Sequence, residues 1–155
     1  MTDIEKIVLG AFGGIAVYVA GQIFSKFFIE PLHELRKAVG EVRFNLAFHA
    51  STIHTPIGRS KETSDIAKEA LMKSSCDLIA KLHVIPLYGV TRLLSFGVLP
   101  SSKAVEGAAV QLRGLSTHVH EEGEKASTSI EVIAKRVAKI EKLLSLKPLE
   151  QKNAT

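Results

Sequence analysis

Tryptophan is absent and aromatic residues make up only 6% of the chain. A ring platform for stacking single-stranded nucleic acid is therefore poorly supported. Cys76 is the only cysteine among 155 residues, so no intramolecular disulfide forms and nothing marks an oxidised secreted scaffold. Neither sign of charge dominates. Twenty Lys and Arg against sixteen Asp and Glu leave a net charge of +4 and a pI near 9.2. That mild excess suits anionic lipid headgroups as well as nucleic acid. No segment of any length alternates polar and apolar residues with period two, so strands have no signal.

Constellations that carry chemistry are missing too. His118 and His120 precede Glu121 and Glu122, but helical positions two apart point about 200° away from each other. They read as exposed histidines near a helix C-terminus, where the dipole favours a cation. His49 and His54, five apart, share no face. Cys76 stands beside Ser74, Ser75 and Asp77 with no base identifiable in the sequence, and reads as a small core or boundary residue. Acidic residues fall on helix outsides or at turns, away from apolar surroundings that tune a general acid. Gly13-Gly14 lacks the strand-then-helix context of a phosphate loop. The expectation is a non-enzyme with no metal, no cofactor, no nucleic acid and no small-molecule substrate.

What the chain does have is an apolar run over residues 7–29, IVLGAFGGIAVYVAGQIFSKFFI. A helix needs about 20 such residues to cross a bilayer. The positive mean hydropathy of +0.17 comes mainly from this run. Residues 1–30 read as a transmembrane anchor, with Lys26 snorkelling to the headgroups. Two other readings compete. One is a cleaved signal peptide cut near Val19-Ala20-Gly21, against which stand Asp3 and Glu5 in its first region and the apolar residues beyond the cut. The other is a buried helix of a soluble protein. Lys6 alone precedes the run, whereas Lys26, Arg36, Lys37 and Arg43 follow, so the positive-inside rule places the C-terminal bulk in the cytoplasm. These four cations also suit anionic lipid at about 1 kcal/mol each, although topology alone accounts for them. Gly10 and Gly14 form a GxxxG pair, Gly21 lies one heptad beyond, and Ala16 and Ala20 repeat the small spacing on a neighbouring face. Such spacing favours helix–helix contact in lipid, against the plain alternative that glycine is simply frequent in spans.

Residues 31–147 read as a helical bundle. Pro31 either kinks the first helix or opens a new one. Leu32, Leu35, Val39, Val42, Leu46 and Ile53 form an amphipathic stripe, widened by Phe44 and Phe48 and broken at Thr55-Pro56-Ile57-Gly58. A second helix starts near Lys61 with Thr63 or Ser64 as cap; its stripe is Ile66, Ala70, Ser74, Leu78, Leu82 and Ile85, with Leu71 alongside. Residues 86–100, PLYGVTRLLSFGVLP, are too short to span and hold Arg92. They read as a short core helix, or alternatively as a helix lying in the membrane interface. After Ser101 or Ser102 comes a stripe of Val105, Ala108, Ala109, Leu112, Leu115 and Val119, then a turn at 121–124. The last helix, about 127–146, places Ile130, Ile133, Val137, Ile140 and Leu144 inward and Lys135, Arg136, Lys139 and Lys142 outward. Residues 148–155 read as a disordered tail. The expected fold is all-α: an N-terminal transmembrane helix continuing into a small cytoplasmic bundle of about four helices.

Two stretches, FFIEPLHELRKAVGEV (27–42) and IPLYGVTRLLSFGVLP (85–100), together about a fifth of the chain, carry a resemblance. They resemble a loosely defined group of small bacterial single-pass membrane proteins of unknown function, in which a Glu-Pro pair follows the span. The resemblance implies the bacterial inner membrane and an anchor-plus-helices layout, and brings no activity or site residue. The expected role is a membrane-anchored module that self-associates or docks another membrane protein. The alternative is a membrane-perturbing effector, a small toxin or phage-defence protein that assembles in the bilayer.

Overall fold

In a computed structural model the described residues are 2–54, 60–94, 99–119 and 125–147. The breaks expected at 55–58 and 121–124, His120 and the tail from 148 lie outside them. Every described element is a helix: α1 Asp3–Phe24, a π-helical turn Ser25–Ile29, α2 Glu30–Phe48, α3 Ala50–His54, α4 Lys61–Val84, α5 Tyr88–Leu94, α6 Ser102–His118 and α7 Lys125–Leu143. The all-α architecture, with a long apolar helix leading into several others, is as the sequence implies.

α1 begins where Asp3 and Glu5 meet the positive end of the helix dipole, and the Glu5 carboxylate accepts the Thr2 backbone N–H at 2.9 Å. At Pro31 the chain neither breaks nor restarts. Asp3–Phe48 is one helix of 46 residues. Proline has no N–H, and its ring crowds the carbonyl four residues earlier, here that of Phe27. The chain accommodates this by widening one turn: the Glu30 N–H donates to Ser25, five residues back instead of four. The helix that carries the apolar run is thereby continuous with the first helix of the bundle.

α2 buries Leu35, Ala38, Val42 and Leu46, while Leu32 and Val39 pack at the edge of the core. It ends at Phe48, sooner than the stripe implies; a turn at His49 then gives α3, which buries Ile53. Phe44 and Phe48 lie outside the core, stacked with ring centres 5.4 Å apart. α4 is capped by Ser60, whose hydroxyl accepts the Thr63 N–H at 3.2 Å, in place of Thr63 or Ser64. Its buried arc is Ala67, Leu71, Ser74, Ser75, Leu78 and Leu82, and Ile66 is 53% exposed, a correction to the expected stripe. The reason is that α4 packs between α2 and α6, so its contact surface spans two directions. Small residues let the neighbours approach. The Asn45 amide donates to Ser74 Oγ at 2.8 Å, and the fully buried Ser75 hydroxyl donates to the Ala109 carbonyl at 2.8 Å.

α6 follows its expected stripe throughout and is capped by Ser101. α7 buries Ile133, Val137 and Ile140, followed by Leu144, whereas Ile130 is partly exposed. Arg136, expected outside, lies across Gly114 and donates to Gln111 at 2.9 Å. Only the missing side chain of Gly114 leaves room for its guanidinium. The contacts 45–74 and 34–81 between α2 and α4, 107–143 and 111–136 between α6 and α7, and 75–109 with the Tyr88–Pro100 bond beyond the end of α4, make α2, α4, α6 and α7 successively antiparallel. The start of α2, the end of α4, the start of α6 and the end of α7 therefore share one end of the bundle. That is the end at which α1 arrives.

Ser75 tests this packing. Replacing it with leucine overpacks the α4–α6 seam and is expected to cost about 1–3 kcal/mol, whereas Ser75→Ala costs about 1 kcal/mol for the hydrogen bond. Ile66→Ala, outside the core, changes stability by no more than about 0.5 kcal/mol. Denaturant titration in mild detergent ranks the three.

Candidate membrane interface

From residue 7 to residue 25 the chain has 19 residues without a charge. At about 1.5 Å per residue they measure roughly 28 Å, close to the hydrocarbon thickness of about 30 Å. No residue of α1 is buried, and the most apolar 18-residue window has a mean hydropathy of 1.9 with none of it covered by protein. Phe12, Ile15, Val17, Tyr18, Ile23 and their neighbours all face outward. This is not the core helix of the bundle. A helix long and apolar enough to cross a membrane projects from it uncovered.

Gly10, Gly14 and Gly21 lie within about 40° of one another around the α1 axis, at 100° per residue. An added Cβ at any of the three meets nothing within 4 Å. Nothing inside the chain requires glycine there, although each costs a helix roughly 1 kcal/mol relative to alanine.

The four cations that follow the run are not equivalent. Lys26 sits in the π turn, level with the end of the uncharged stretch. Arg36 and Lys37 are exposed on α2 about 15 Å further along, and Arg43 about 25 Å further, by the helical rise. At physiological salt the Debye length is about 8 Å, so Arg36 and Lys37 are largely screened from a headgroup plane at Lys26 and Arg43 almost wholly so. In their place the fold brings up residues distant in sequence. Lys26, Glu30, Pro31 and Glu34 line an open, mostly apolar cleft of about 320 Å³ together with Lys81 and Val84 from the end of α4. Lys81 pairs with Glu34 at 3.4 Å. Both side chains reach solvent, so the pair is worth at most about 1 kcal/mol and positions more than it stabilises.

Beyond Val84 the chain turns through Ile85, which is buried, and Leu87, whose φ of 48° lies in the left-handed region that bulky residues avoid. α5 follows. The Tyr88 hydroxyl donates to the Pro100 carbonyl at 2.7 Å and the Arg92 Nε to the Leu99 carbonyl at 3.1 Å. Thr91 is buried and donates to the Pro86 carbonyl at 3.2 Å. Leu87, Val90 and Leu93 point away from the bundle, whereas Thr91 and Leu99 are buried and Tyr88 packs against the core, so the described part of this segment meets the core by one side only. Cys76, expected in or near the core, is exposed on α4. Among the described residues no three His, Cys, Asp or Glu side chains converge as a metal site would require.

No family model, no curated protein and no solved structure matches this chain. The resemblance to small bacterial single-pass proteins rests on its two quoted stretches alone.

Burial pushes the Tyr88 phenol above its usual pKa of 10.0, and Arg92 pulls it part of the way back. The neutral phenol is thus the form the fold prefers. Its contribution is intact below pH 10 and is lost as pH rises through the elevated folded value, because the unfolded chain ionises first. In a Tyr18→Phe protein, ultraviolet titration is expected to give a phenolate midpoint above 10 in the folded state and a lower one in denaturant.

Proposed function

We propose that this chain is a single-pass membrane protein of the bacterial inner membrane. Its bundle is cytoplasmic, and it works without catalysis as a module that self-associates or docks a membrane partner. The observation that carries this reading is the uncovered α1 with three glycines on one face that have no packing role within the chain. Thirteen or more large apolar side chains in water are unfavourable by roughly 1.5–3 kcal/mol each when burial is available, and lipid supplies that burial. The glycine face then offers a second helix close backbone approach. Lys26, Arg36 and Lys37 after the run, against Lys6 before it, support the cytoplasmic orientation of the bundle.

Carbonate extraction followed by size determination in mild detergent tests the anchor and the assembly. The expected result is a carbonate-resistant oligomer; a soluble monomer overturns the anchor. In a Cys76→Ser background, Gly10→Cys, Gly14→Cys and Gly21→Cys are expected to form disulfide-linked dimers on mild oxidation, and Phe12→Cys and Val19→Cys on the opposite face are not. Equal crosslinking on both faces, or none, removes self-association through the glycines. Gly14→Leu should reduce the oligomer without unfolding the monomer, since its side chain meets no intrachain atom near the Cβ.

A further inference from the structure

At the α1 end of the bundle a row of large apolar side chains faces outward. Around α5 the Tyr88 hydroxyl, the hydroxyl of buried Thr91 and the Nε of exposed Arg92 all bond to backbone carbonyls of 86–100. Tyr88 packs its ring on the core, and the other described apolar side chains from Leu87 to Leu93 point outward. Leu87 is 72% exposed, Val90 52%, Leu93 79%, and Val84, the last residue of α4, 65%. A helix that only faces water shows the opposite pattern. The exposed row is held firmly, since two of these hydrogen bonds pin α5 to the segment leading into α6 and the third ties it to the turn before it.

Its position shows what covers it. Val84 shares the cleft with Lys26, Glu30 and Pro31, so the end of α4 stands beside the point where the uncharged part of α1 ends. α4 runs antiparallel to α2, so the chain beyond Val84 advances toward the level of Lys26. Charge agrees with position. From residue 78 to residue 105 there is no Asp or Glu, while Lys81, Arg92 and Lys103 are present. Along its own stretch of chain the apolar row has only cations beside it, with Glu30 and Glu34 standing on the neighbouring α2, and an apolar row with cations at its ends matches an anionic headgroup layer over acyl chains.

We propose that residues 84–93 are seated in the headgroup–acyl boundary of the bilayer, as a second, non-spanning membrane contact beside α1. This rests on the reading of α1 as a span. It adds that the bundle lies against the lipid surface by a defined face instead of hanging from its anchor.

Spin labels on the full chain, reconstituted into vesicles of phosphatidylethanolamine and phosphatidylglycerol, test both readings separately. In a Cys76→Ser background, Val19→Cys reports the span, Leu93→Cys and Val90→Cys report the proposed contact, and Lys61→Cys reports the far end of α4, about 35 Å away along the helix. Collision with oxygen, concentrated in lipid, is compared with collision with a water-soluble nickel chelate. The expected oxygen-to-nickel ratio is highest at 19 and lowest at 61, with 90 and 93 several-fold above 61. If 90 and 93 match 61 while 19 is in lipid, the second contact is overturned and the span stands. If 19 also matches 61, both fall. Circular dichroism guards against misfolding, and Val90 and Leu93 are exposed enough that two independent labels should agree.

Discussion

An apolar helix that the protein itself does not cover sets the terms for everything else in this structure. α1 buries no residue, yet it joins without interruption to α2, whose Leu35, Ala38, Val42 and Leu46 are the first wall of the core. The π turn at 25–29 makes the union possible. A helix broken at Pro31 would leave bundle and span joined by a swivel; a single widened turn satisfies the backbone around the proline and keeps one rod. The bundle is then oriented by the helix that needs a non-aqueous neighbour.

The core is conventional where large apolar side chains alone form the contact surface and less so where small and polar residues share it. α6 was legible residue by residue because its whole apolar stripe, at spacings of three and four, is buried; α7 was legible at Ile133, Val137, Ile140 and Leu144 but not at Ile130, which is exposed. α4 was not. It lies between α2 and α6, and its buried arc is made of Ala67, Ser74 and Ser75 as much as of leucines, so hydrophobicity alone drew Ile66 inward wrongly. Arg136 shows the same limit from the polar side, since the space it occupies exists only because Gly114, on another helix, has no side chain.

For the candidate site, the long uncovered apolar helix was legible from composition, and so was Lys26 at the edge of its uncharged stretch. The partners of that edge were not. Lys81 and Val84 reach it through the antiparallel fold of α4 on α2, a pairing over some fifty residues that no local pattern encodes. Helical rise does the reverse for Arg43, which is near Lys26 in sequence but about 25 Å away along a straight helix. The absence of acid between residues 78 and 105 was in plain view in the sequence. Its meaning depended on knowing that this stretch caps the α1 end of the bundle.

A lone spanning helix is free to tilt and to rotate about its axis, because its length sets only how much apolar chain fits the bilayer. In the proposed arrangement the outward row from Val84 to Leu93 removes that freedom. Its first residue, Val84, shares a cleft with Lys26, so seating the row in the interface constrains which way the bundle leans. Because α1 and α2 are one rod, it also constrains which way Gly10, Gly14 and Gly21 face within the membrane plane. Two copies meeting through that face would then bring their bundles together at one relative angle. The glycine face sets the contact and the interfacial row sets its direction, which neither accomplishes alone.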